Sequence, residues 1–512
     1  MDLFKKAKSH EEILDQVLYK APGTDTTITW ADAVEGILLT GATGSGKSSG
    51  PGKHTALSML KAGFGFCVLC AKPDERSRWE SYVKACGRED DLVIFNKKSG
   101  LQFNFLQYDL EREGEGAGDI FNANNALMNI SQLNRQILSG GGGKNEEDFW
   151  DNALRRLIGN TISALILAGE KVSIDNMRRM VAYSFKEKED VKFYSDLLRI
   201  ASTRKNIDPS KREEAIEELE ELIASNYFIQ VIYKIQSADF TSEEQTYDAN
   251  LVEDYWFTDF AELSEKTRSN VTESFMGIIQ PFLNRGILRS QFASGLDPEL
   301  LPEKIISERK IVIVDFPIKE FGFAGMIASI IYKSIFQGAA ERRKVVEETT
   351  PVPACLWIDE YQNFCNPQTD SLFQTTARSS WISTVYITQN MNNLYFIMGN
   401  NQSQARAKSL VGNLNLKFFA SNADFETNQW ASEMIGQHFV DLDTLTINKD
   451  MDLSKTKNQR LMPKITPDHF TTFKTGRKAN NYKVETVIFK AGKTWGREKA
   501  NYAIVEFNQR KD

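Results

Sequence analysis

Seven short runs of apolar residues recur along the chain, and most are continuous rather than alternating with polar residues. They lie at residues 36–40, 64–70, 91–95, 310–316, 355–360, 383–389 and 416–421. A strand that is apolar at every position is buried on both faces, as in a parallel sheet covered by helices. Segments with helical spacing lie between several of these runs. The sequence therefore predicts a layered α/β domain with a predominantly parallel sheet.

The middle of the chain lacks such runs, and its apolar residues fall at helical spacing instead. In the segment 208–225, Asp208 is placed to cap a helix and Pro209 to occupy its first turn. We predict an all-α domain inserted at 171–270. The predicted remainder comprises the two parts of the α/β domain, at 1–170 and 271–445, and a basic C-terminal extension at 446–512.

The composition of the chain excludes some classes of protein. The 512 residues are 41% hydrophobic and 26% charged, with a net charge of −7, which excludes a largely disordered chain and a uniformly basic nucleic-acid coat. Residues 401–512 nevertheless carry 18 Lys and Arg against 12 Asp and Glu. This excess has two interpretations, a solvated surface or a contact with a polyanion. The candidates for such a contact are Lys455, Lys457, Arg460, Lys474, Arg477 and Lys478.

The cysteine content and the hydropathy of the chain indicate where in the cell the protein works. Five Cys residues in a chain of this length are typical of reduced thiols in a cytosol. Cys67 and Cys70 have CxxC spacing, but they lie in an apolar run, so we predict core positions rather than a metal site. No apolar run reaches the roughly 20 residues that span a bilayer. We expect a cytoplasmic protein without a direct membrane span.

Residues 41–48 read GATGSGKS and match the phosphate-binding pattern GxxxxGK[ST] at every fixed position. Glycines at these positions let consecutive N–H groups surround phosphate oxygens, while Lys47 can reach the β- and γ-phosphates. The Ser48 hydroxyl can bind Mg²⁺, and an apolar run enters the loop as this motif requires. We therefore predict that this P-loop binds a nucleoside triphosphate, and a P-loop alone would allow a kinase or a GTPase as well as an ATPase. Its predicted binding residues are Gly41, Ala42, Thr43, Gly44, Ser45, Gly46, Lys47, Ser48 and Ser49.

Two carboxylates follow a second apolar run, in LWIDE. Asp359 and Glu360 stand where that strand ends, at the edge where open α/β sheets bind ligands. We predict that Asp359 holds Mg²⁺ together with Ser48 and that Glu360 polarises the attacking water. Asp315 ends another run but lacks a second carboxylate. The guanine-reading motif NKxD is incomplete in NKKS at 96–99, so we favour ATP hydrolysis over a GTPase.

Taken in order, these motifs resemble those of the type IV secretion coupling proteins, the TraG/TraD-like conjugation ATPases related to FtsK and HerA. The resemblance runs from the P-loop to about residue 440. Besides the P-loop it includes KPDE at 72–75, LWIDEYQNF at 356–364 and TTARSSWISTVYITQN at 375–390. It implies a RecA-like P-loop ATPase domain with an inserted all-α domain. It also implies that Arg378 reaches the ATP site of a neighbouring subunit and that Gln389 senses the γ-phosphate.

The resemblance further implies a homo-hexameric motor that uses ATP and Mg²⁺ to move DNA, chiefly single-stranded, or a nucleoprotein substrate into a transfer apparatus. Typical members carry a membrane anchor of paired helices before the P-loop, and the roughly 40 residues that precede it here predict none. We therefore expect the chain to work in the cytoplasm or at the inner face of the membrane through a partner from the secretion machinery. Three alternatives stay open: an ATP-regulated receptor for a protein substrate, an FtsK/HerA-like DNA-processing ATPase, and a small-molecule phosphotransferase.

Overall fold

The computed structural model describes residues 9–139, 144–203, 207–367, 369–399, 403–447, 453–496 and 499–510, with the backbone alone for 131–139, 144–150, 444–447 and 453–456. The chain divides into two compact units. The first combines residues 1–95 with 301–512, and the second consists of residues 96–300.

The first unit is built on a nine-stranded sheet. The strands of the described chain are β1 (Val17–Lys20), β2 (Thr27–Thr29), β3 (Ile37–Thr40), β4 (Gly65–Leu69), β5 (Leu92–Phe95), β6 (Ile311–Val314), β7 (Ala354–Ile358), β8 (Ile382–Thr388), β9 (Leu416–Ala420), β10 (Gln437–Ile447), β11 (Leu453–Pro463), β12 (Lys483–Lys490) and β13 (Tyr502–Asn508). The large sheet has the order β13-β12-β9-β3-β8-β7-β4-β6-β5. All pairs from β9 to β5 are parallel, whereas β12 is antiparallel to β9 and to β13.

The seven predicted strands are β3 to β9, and their parallel arrangement is confirmed. Strands β3, β4 and β6 to β9 are buried at every position, which explains their continuous apolar sequences. Strands β12 and β13 were not predicted, because they lie in the segment interpreted as a basic extension. They continue the sheet beyond β9, while β1–β2 and β10–β11 form separate antiparallel pairs.

Helices cover the sheet of the first unit. Those before the second unit are α1 (His10–Leu14), α2 (Trp30–Val34), α3 (Lys53–Lys61) and α4 (Glu75–Ala85). The second unit contributes α5 (Phe105–Glu111), α6 (Ile120–Ser139), α7 (Lys144–Leu167), α8 (Ile174–Ala182), α9 (Lys188–Ser202), α10 (Pro209–Ser225), α11 (Tyr227–Gln236), α12 (Glu243–Glu253), α13 (Glu265–Leu283) and α14 (Ile287–Phe292). The first unit resumes with α15 (Pro302–Ser307), α16 (Ile318–Glu341), α17 (Asp370–Thr376), α18 (Met391–Ile397), α19 (Ser403–Gly412) and α20 (Phe425–Ile435).

The second unit contains helices but no strand among its described residues. Helix α10 begins as predicted, since the Asp208 side chain accepts a hydrogen bond from the Ser210 N–H and Pro209 occupies the first turn. The predicted all-α domain at 171–270 lies within this unit, and its boundaries stay a prediction.

Helix α16 is the one described helix that is long and apolar enough to cross a membrane by length and composition. Most of its apolar window is buried inside the protein, and the core helix of a water-soluble protein meets the same criterion. The helix is interrupted at Gly322, whose φ of 54° is not helical.

Candidate active site

The predicted P-loop follows β3 and leads through one π-helical turn, Ser48–Gly52, into α3. Gly44 and Gly46 have φ angles of 79° and 83°, which glycine adopts without strain. A Cβ atom on Gly46 would lie 2.5 Å from Cγ2 of Val484, in β12, so the loop leaves no room for a side chain there. Local sequence therefore fixes a tight turn whose backbone N–H groups can face an anion.

Two buried polar groups of this loop fit a phosphate. The Lys47 side chain is almost fully buried, with 6% of the residue exposed, and no hydrogen bond or ion pair to its amine is found among the described residues. Burial lowers the pKa of Lys47, and the negative charges of Glu360 and Asp359 oppose this shift. The Ser45 hydroxyl is also buried without a described partner. Because a buried cation needs a counter-charge, a phosphate group suits this position.

The predicted carboxylates lie at the same edge of the sheet. Asp359 and Glu360 directly follow β7 and are each about 5% exposed. Glu360 has a φ of 54°, a conformation that is costly for a residue other than glycine and is often found at functional sites. Its backbone N–H donates to Oδ1 of Asp359 over 3.0 Å, so the two residues are fixed relative to each other.

Three donors hold the Glu360 carboxylate. Lys72 donates to Oε1 over 2.6 Å, while Gln362 and Gln389 donate to Oε2 over 2.7 and 3.0 Å. Burial, the largest single influence, would raise the pKa of Glu360, but the hydrogen bonds from Lys72 and Gln362 and the positive charges of Lys47 and Lys72 together lower the pKa to about 2. Glu360 is therefore an oriented carboxylate that stays ionised at any physiological pH.

The segment after β4 supplies residues to which sequence reasoning gave no role. KPDE contributed only to the family resemblance, yet its Lys72 binds Glu360 and its Glu75 interacts with Asp359. Burial and then the Asp359 charge raise the pKa of Glu75 to about 8. Arg78 comes within 3.8 Å of an Asp359 oxygen. The adjacency of β4 and β7 brings these groups together, a pairing that only the strand order reveals.

Gln389 directly follows β8, the strand between β3 and β7. The end of β8 therefore lies between the strand that leads into the phosphate loop and the strand that leads to the carboxylates, and the Gln389 amide contacts Glu360. Asp315 is instead paired with Arg76, at 3.2 Å. The carboxyl edge of the sheet thus gathers Lys47, Asp359, Glu360 and Gln389.

Arg378 does not join this cluster in its own chain. It lies in the turn between α17 and β8, at the amino edge of the sheet, where its guanidinium is 3.7 Å from Glu35. Its side chain is 72% exposed. The predicted action of Arg378 at the ATP site of another subunit stays a prediction.

The chain is similar to known proteins in one part of its sequence and in its fold. A family profile described as the TraM recognition site of TraD and TraG matches residues 353–474. No curated protein sequence matches the chain. Among solved structures, plasmid coupling protein TrwB in complex with the non-hydrolysable ATP analogue ADPNP has a TM-score of 0.56 and 13% identity, covering 99% of this chain and 95% of that one.

Two further structures of the same protein agree. The bacterial conjugative coupling protein TrwBdeltaN70, in an unbound form, has a TM-score of 0.53 and 14% identity over 97% of this chain and 91% of that one. TrwB in complex with ADP and Mg²⁺ has a TM-score of 0.52 and 14% identity over 98% and 93%. The chain is similar in fold to the conjugative coupling proteins. The predicted RecA-like α/β fold is confirmed, and the profile match over residues 353–474 supports the predicted family resemblance.

In this fold, few protein side chains are placed to bind Mg²⁺. No cluster of three or more His, Cys, Asp or Glu residues suited to a metal is found among the described residues. Mg²⁺ is commonly bound by one or two carboxylates together with substrate phosphates and water. The Asp359 carboxylate and the Ser48 hydroxyl fit that donor set.

The basic candidates of the C-terminal region are dispersed. Lys457 and Arg460 are exposed on β11, and the side chain of Lys455 lies outside the described residues. Lys474 is paired with Glu485 and Glu506, which reduces its availability to a polyanion. Arg477 and Lys478 are exposed in the loop that leads to β12.

Proposed function

We propose that this protein is an ATP-hydrolysing motor that moves DNA or a nucleoprotein substrate in conjugative transfer. The observation that carries the proposal is the Glu360 carboxylate, which Lys72 and Gln362 keep ionised and Gln389 contacts, beside the buried amine of Lys47. A site built only to bind nucleotide needs no oriented carboxylate at the position of the attacking water.

Each residue has a distinct role in this proposal. Lys47 and the N–H groups of its loop bind the phosphates, and Ser48 with Asp359 would hold Mg²⁺. Held there, Mg²⁺ would supply positive charge against the charge that develops on the phosphates. Glu360 orients the water, because an ionised carboxylate accepts a hydrogen bond from it. Gln389 links this carboxylate to β8.

Site completion between subunits accounts for the exposure of Arg378. A guanidinium supplied by a neighbouring subunit stabilises transition-state charge and makes turnover depend on assembly. A closed ring, with six subunits as the family resemblance implies, presents one such Arg to every site. Hydrolysis around a ring can then be coupled to the movement of a strand through its centre.

The test of the catalytic site uses two variants. Lys47→Ala should abolish measurable nucleotide binding and hydrolysis, because it removes the buried counter-charge. Glu360→Gln should retain nucleotide binding but lower turnover by roughly 100-fold or more, because the charged water acceptor is lost. Binding is measured by calorimetry and hydrolysis by phosphate release, with Lys319→Met as an exposed control. ATP hydrolysis by Lys47→Ala at the parental rate would refute the site assignment.

The substrate of the motor is tested separately. DNA, single-stranded in particular, should raise the ATPase rate of the parent and leave Glu360→Gln inactive. The competing function is an ATP-regulated receptor for a protein substrate, which the TraM-recognition profile at 353–474 also favours. If no DNA stimulates hydrolysis while a partner protein binds tightly and changes assembly, the receptor function is the better description.

A further inference from the structure

The loop before β12 lies directly against the phosphate loop. Thr475 pairs with Val484 in an isolated bridge, and a Cβ atom on Gly46 would lie 3.1 Å from the carbonyl oxygen of Thr475. A Cβ on Gly50 would lie 2.9 Å from Cβ of Val484. The C-terminal region is therefore packed against the P-loop from outside the predicted motif.

Gln509, just after β13, ties this loop to the P-loop. Its Nε2 donates to the Ser49 hydroxyl over 2.7 Å, and its Oε1 accepts from the backbone N–H of Arg477 over 2.8 Å. Its own N–H donates to the carbonyl of Tyr482 over 2.9 Å. One side chain thus connects the loop that bears Arg477 to the residue next to the predicted Mg²⁺ ligand.

The backbone of this loop is strained. Arg477, Asn481 and Tyr482 have φ angles of 61°, 51° and 60°, a conformation that residues other than glycine rarely adopt. Such conformations persist where surrounding contacts impose them, and they cluster at ligand clamps. Three of them within six residues indicate a loop held in one specific shape beside the nucleotide site.

The Arg477 guanidinium points to the glycine turn. A Cβ atom on Gly44 would lie 3.2 Å from Nη2 of Arg477, so the cation reaches the tip of the P-loop. The residue is exposed, and its side chain has no described hydrogen bond or ion pair, whereas nearby Lys474 is neutralised by two Glu residues. A forked, permanently charged donor at this position matches a phosphate group.

We propose that Arg477 binds the phosphate tail of the nucleotide held by the P-loop of its own chain. This inference rests on the proposed function. It gives the site two arginines of different origin, Arg477 from the same chain and Arg378 from a neighbour. It also assigns β12, β13 and Gln509 the task of holding Arg477 in position.

The experiment compares Arg477→Gln with Lys478→Gln, an exposed Lys in the same loop. A hydrogen-bonded charge of this kind corresponds to roughly a 10- to 100-fold change in affinity, so Arg477→Gln should weaken ATP binding by that factor. Lys478→Gln should bind ATP like the parent, and Arg477→Lys should lie between the two. Calorimetry with ATP measures affinity, and an unchanged melting temperature shows that the fold is intact.

The outcomes separate this inference from the function on which it rests. Parental ATP affinity in Arg477→Gln would overturn the inference, while loss of binding in Lys47→Ala in the same assay would leave the proposed function standing. Weakened binding of single-stranded DNA with unchanged ATP affinity would also overturn it, since Arg477 would then contact nucleic acid. Absence of ATP binding by the parent would overturn both.

Discussion

At the scale of single residues, Lys72 helps to keep the proposed water-orienting carboxylate ionised. It reaches Glu360 from the segment after β4, and their 2.6 Å hydrogen bond is the largest of the interactions that together offset the cost of burying that carboxylate. Without Lys72, less would oppose the burial of Glu360, and its pKa would rise from about 2 toward the ordinary value.

This argument predicts a shift in pH dependence. In Lys72→Met, Glu360 becomes protonated at a higher pH than in the parent, so the acidic limb of the turnover profile moves upward. The parent should show no loss from this group until the pH falls far below 4.5, the ordinary pKa of a glutamate. Hydrolysis rates measured at saturating ATP from pH 4.5 to 8 provide the test, with Lys84→Met on the exposed face of α4 as control. Superimposable profiles for Lys72→Met and the parent would contradict the assigned role.

The P-loop residues and both carboxylates were predictable because their chemistry depends on local sequence. Gly41 to Ser49 form a contiguous motif, and Asp359 and Glu360 immediately follow a strand. Lys72 and Arg477 were not predictable in this way. Their roles arise from strand order and from a loop about 430 residues beyond the P-loop, and neither leaves a signal in local spacing.

At the scale of elements, a fully buried ion pair joins three parts of the first unit. Lys333 in α16 contacts both carboxylate oxygens of Asp370 at 2.6 Å, and neither side chain is exposed. The same carboxylate accepts a hydrogen bond from the Tyr361 hydroxyl over 2.7 Å. Asp370 begins α17, the helix before Arg378, and Tyr361 follows Glu360. The pair therefore joins the loop after Glu360 to α17, the helix that precedes the exposed Arg378.

Removing one partner should be costly, because it leaves a buried charge without its counterion. We expect Lys333→Met to lower the free energy of unfolding by about 3–5 kcal/mol. Lys319→Met, at an exposed position of the same helix, should change it little. Denaturant unfolding monitored by circular dichroism compares the two. Equal stability of both variants would show that the Lys333–Asp370 pair does not hold these elements together.

Seven strands could be identified from continuous apolar runs, because a strand that is buried on both faces is apolar at nearly every position. Strands β12 and β13 are different, since several of their positions are polar or only partly buried. Glu485 and Glu506, which lie in these strands, form ion pairs with Lys474. Charged residues therefore help to stabilise this edge of the sheet. An interpretation based on net charge alone could not separate such residues from a polyanion-binding surface.

At the scale of the whole molecule, the proposed catalytic groups lie at two opposite edges of one sheet. This arrangement predicts that a subunit that lacks one group can be complemented by a neighbour that lacks the other. Arg378→Ala retains an intact phosphate site but supplies no Arg, whereas Glu360→Gln supplies Arg378 but cannot hydrolyse. Neither should be active alone. Mixed before assembly in equal amounts, they should recover up to roughly a quarter of parental activity, because that share of random neighbours pairs an intact site with an intact Arg.

Phosphate release by the mixture, compared with the sum of the two separate proteins, measures this recovery. Mixing Glu360→Gln with Lys47→Ala serves as control, since both lack a working site. A mixture no more active than its components, with co-assembly verified by native mass spectrometry, would contradict the action of Arg378 between subunits.

The packing of β12, β13 and Gln509 against the glycine turn also has a consequence for biosynthesis. A ribosome makes Lys47 well before the residues that cover its loop. A nascent chain would thus carry the complete P-loop motif during a long part of its synthesis while lacking Arg477. Full affinity for nucleotide would arise only once β12, β13 and Gln509 have emerged and docked, so shorter nascent chains would compete poorly for ATP.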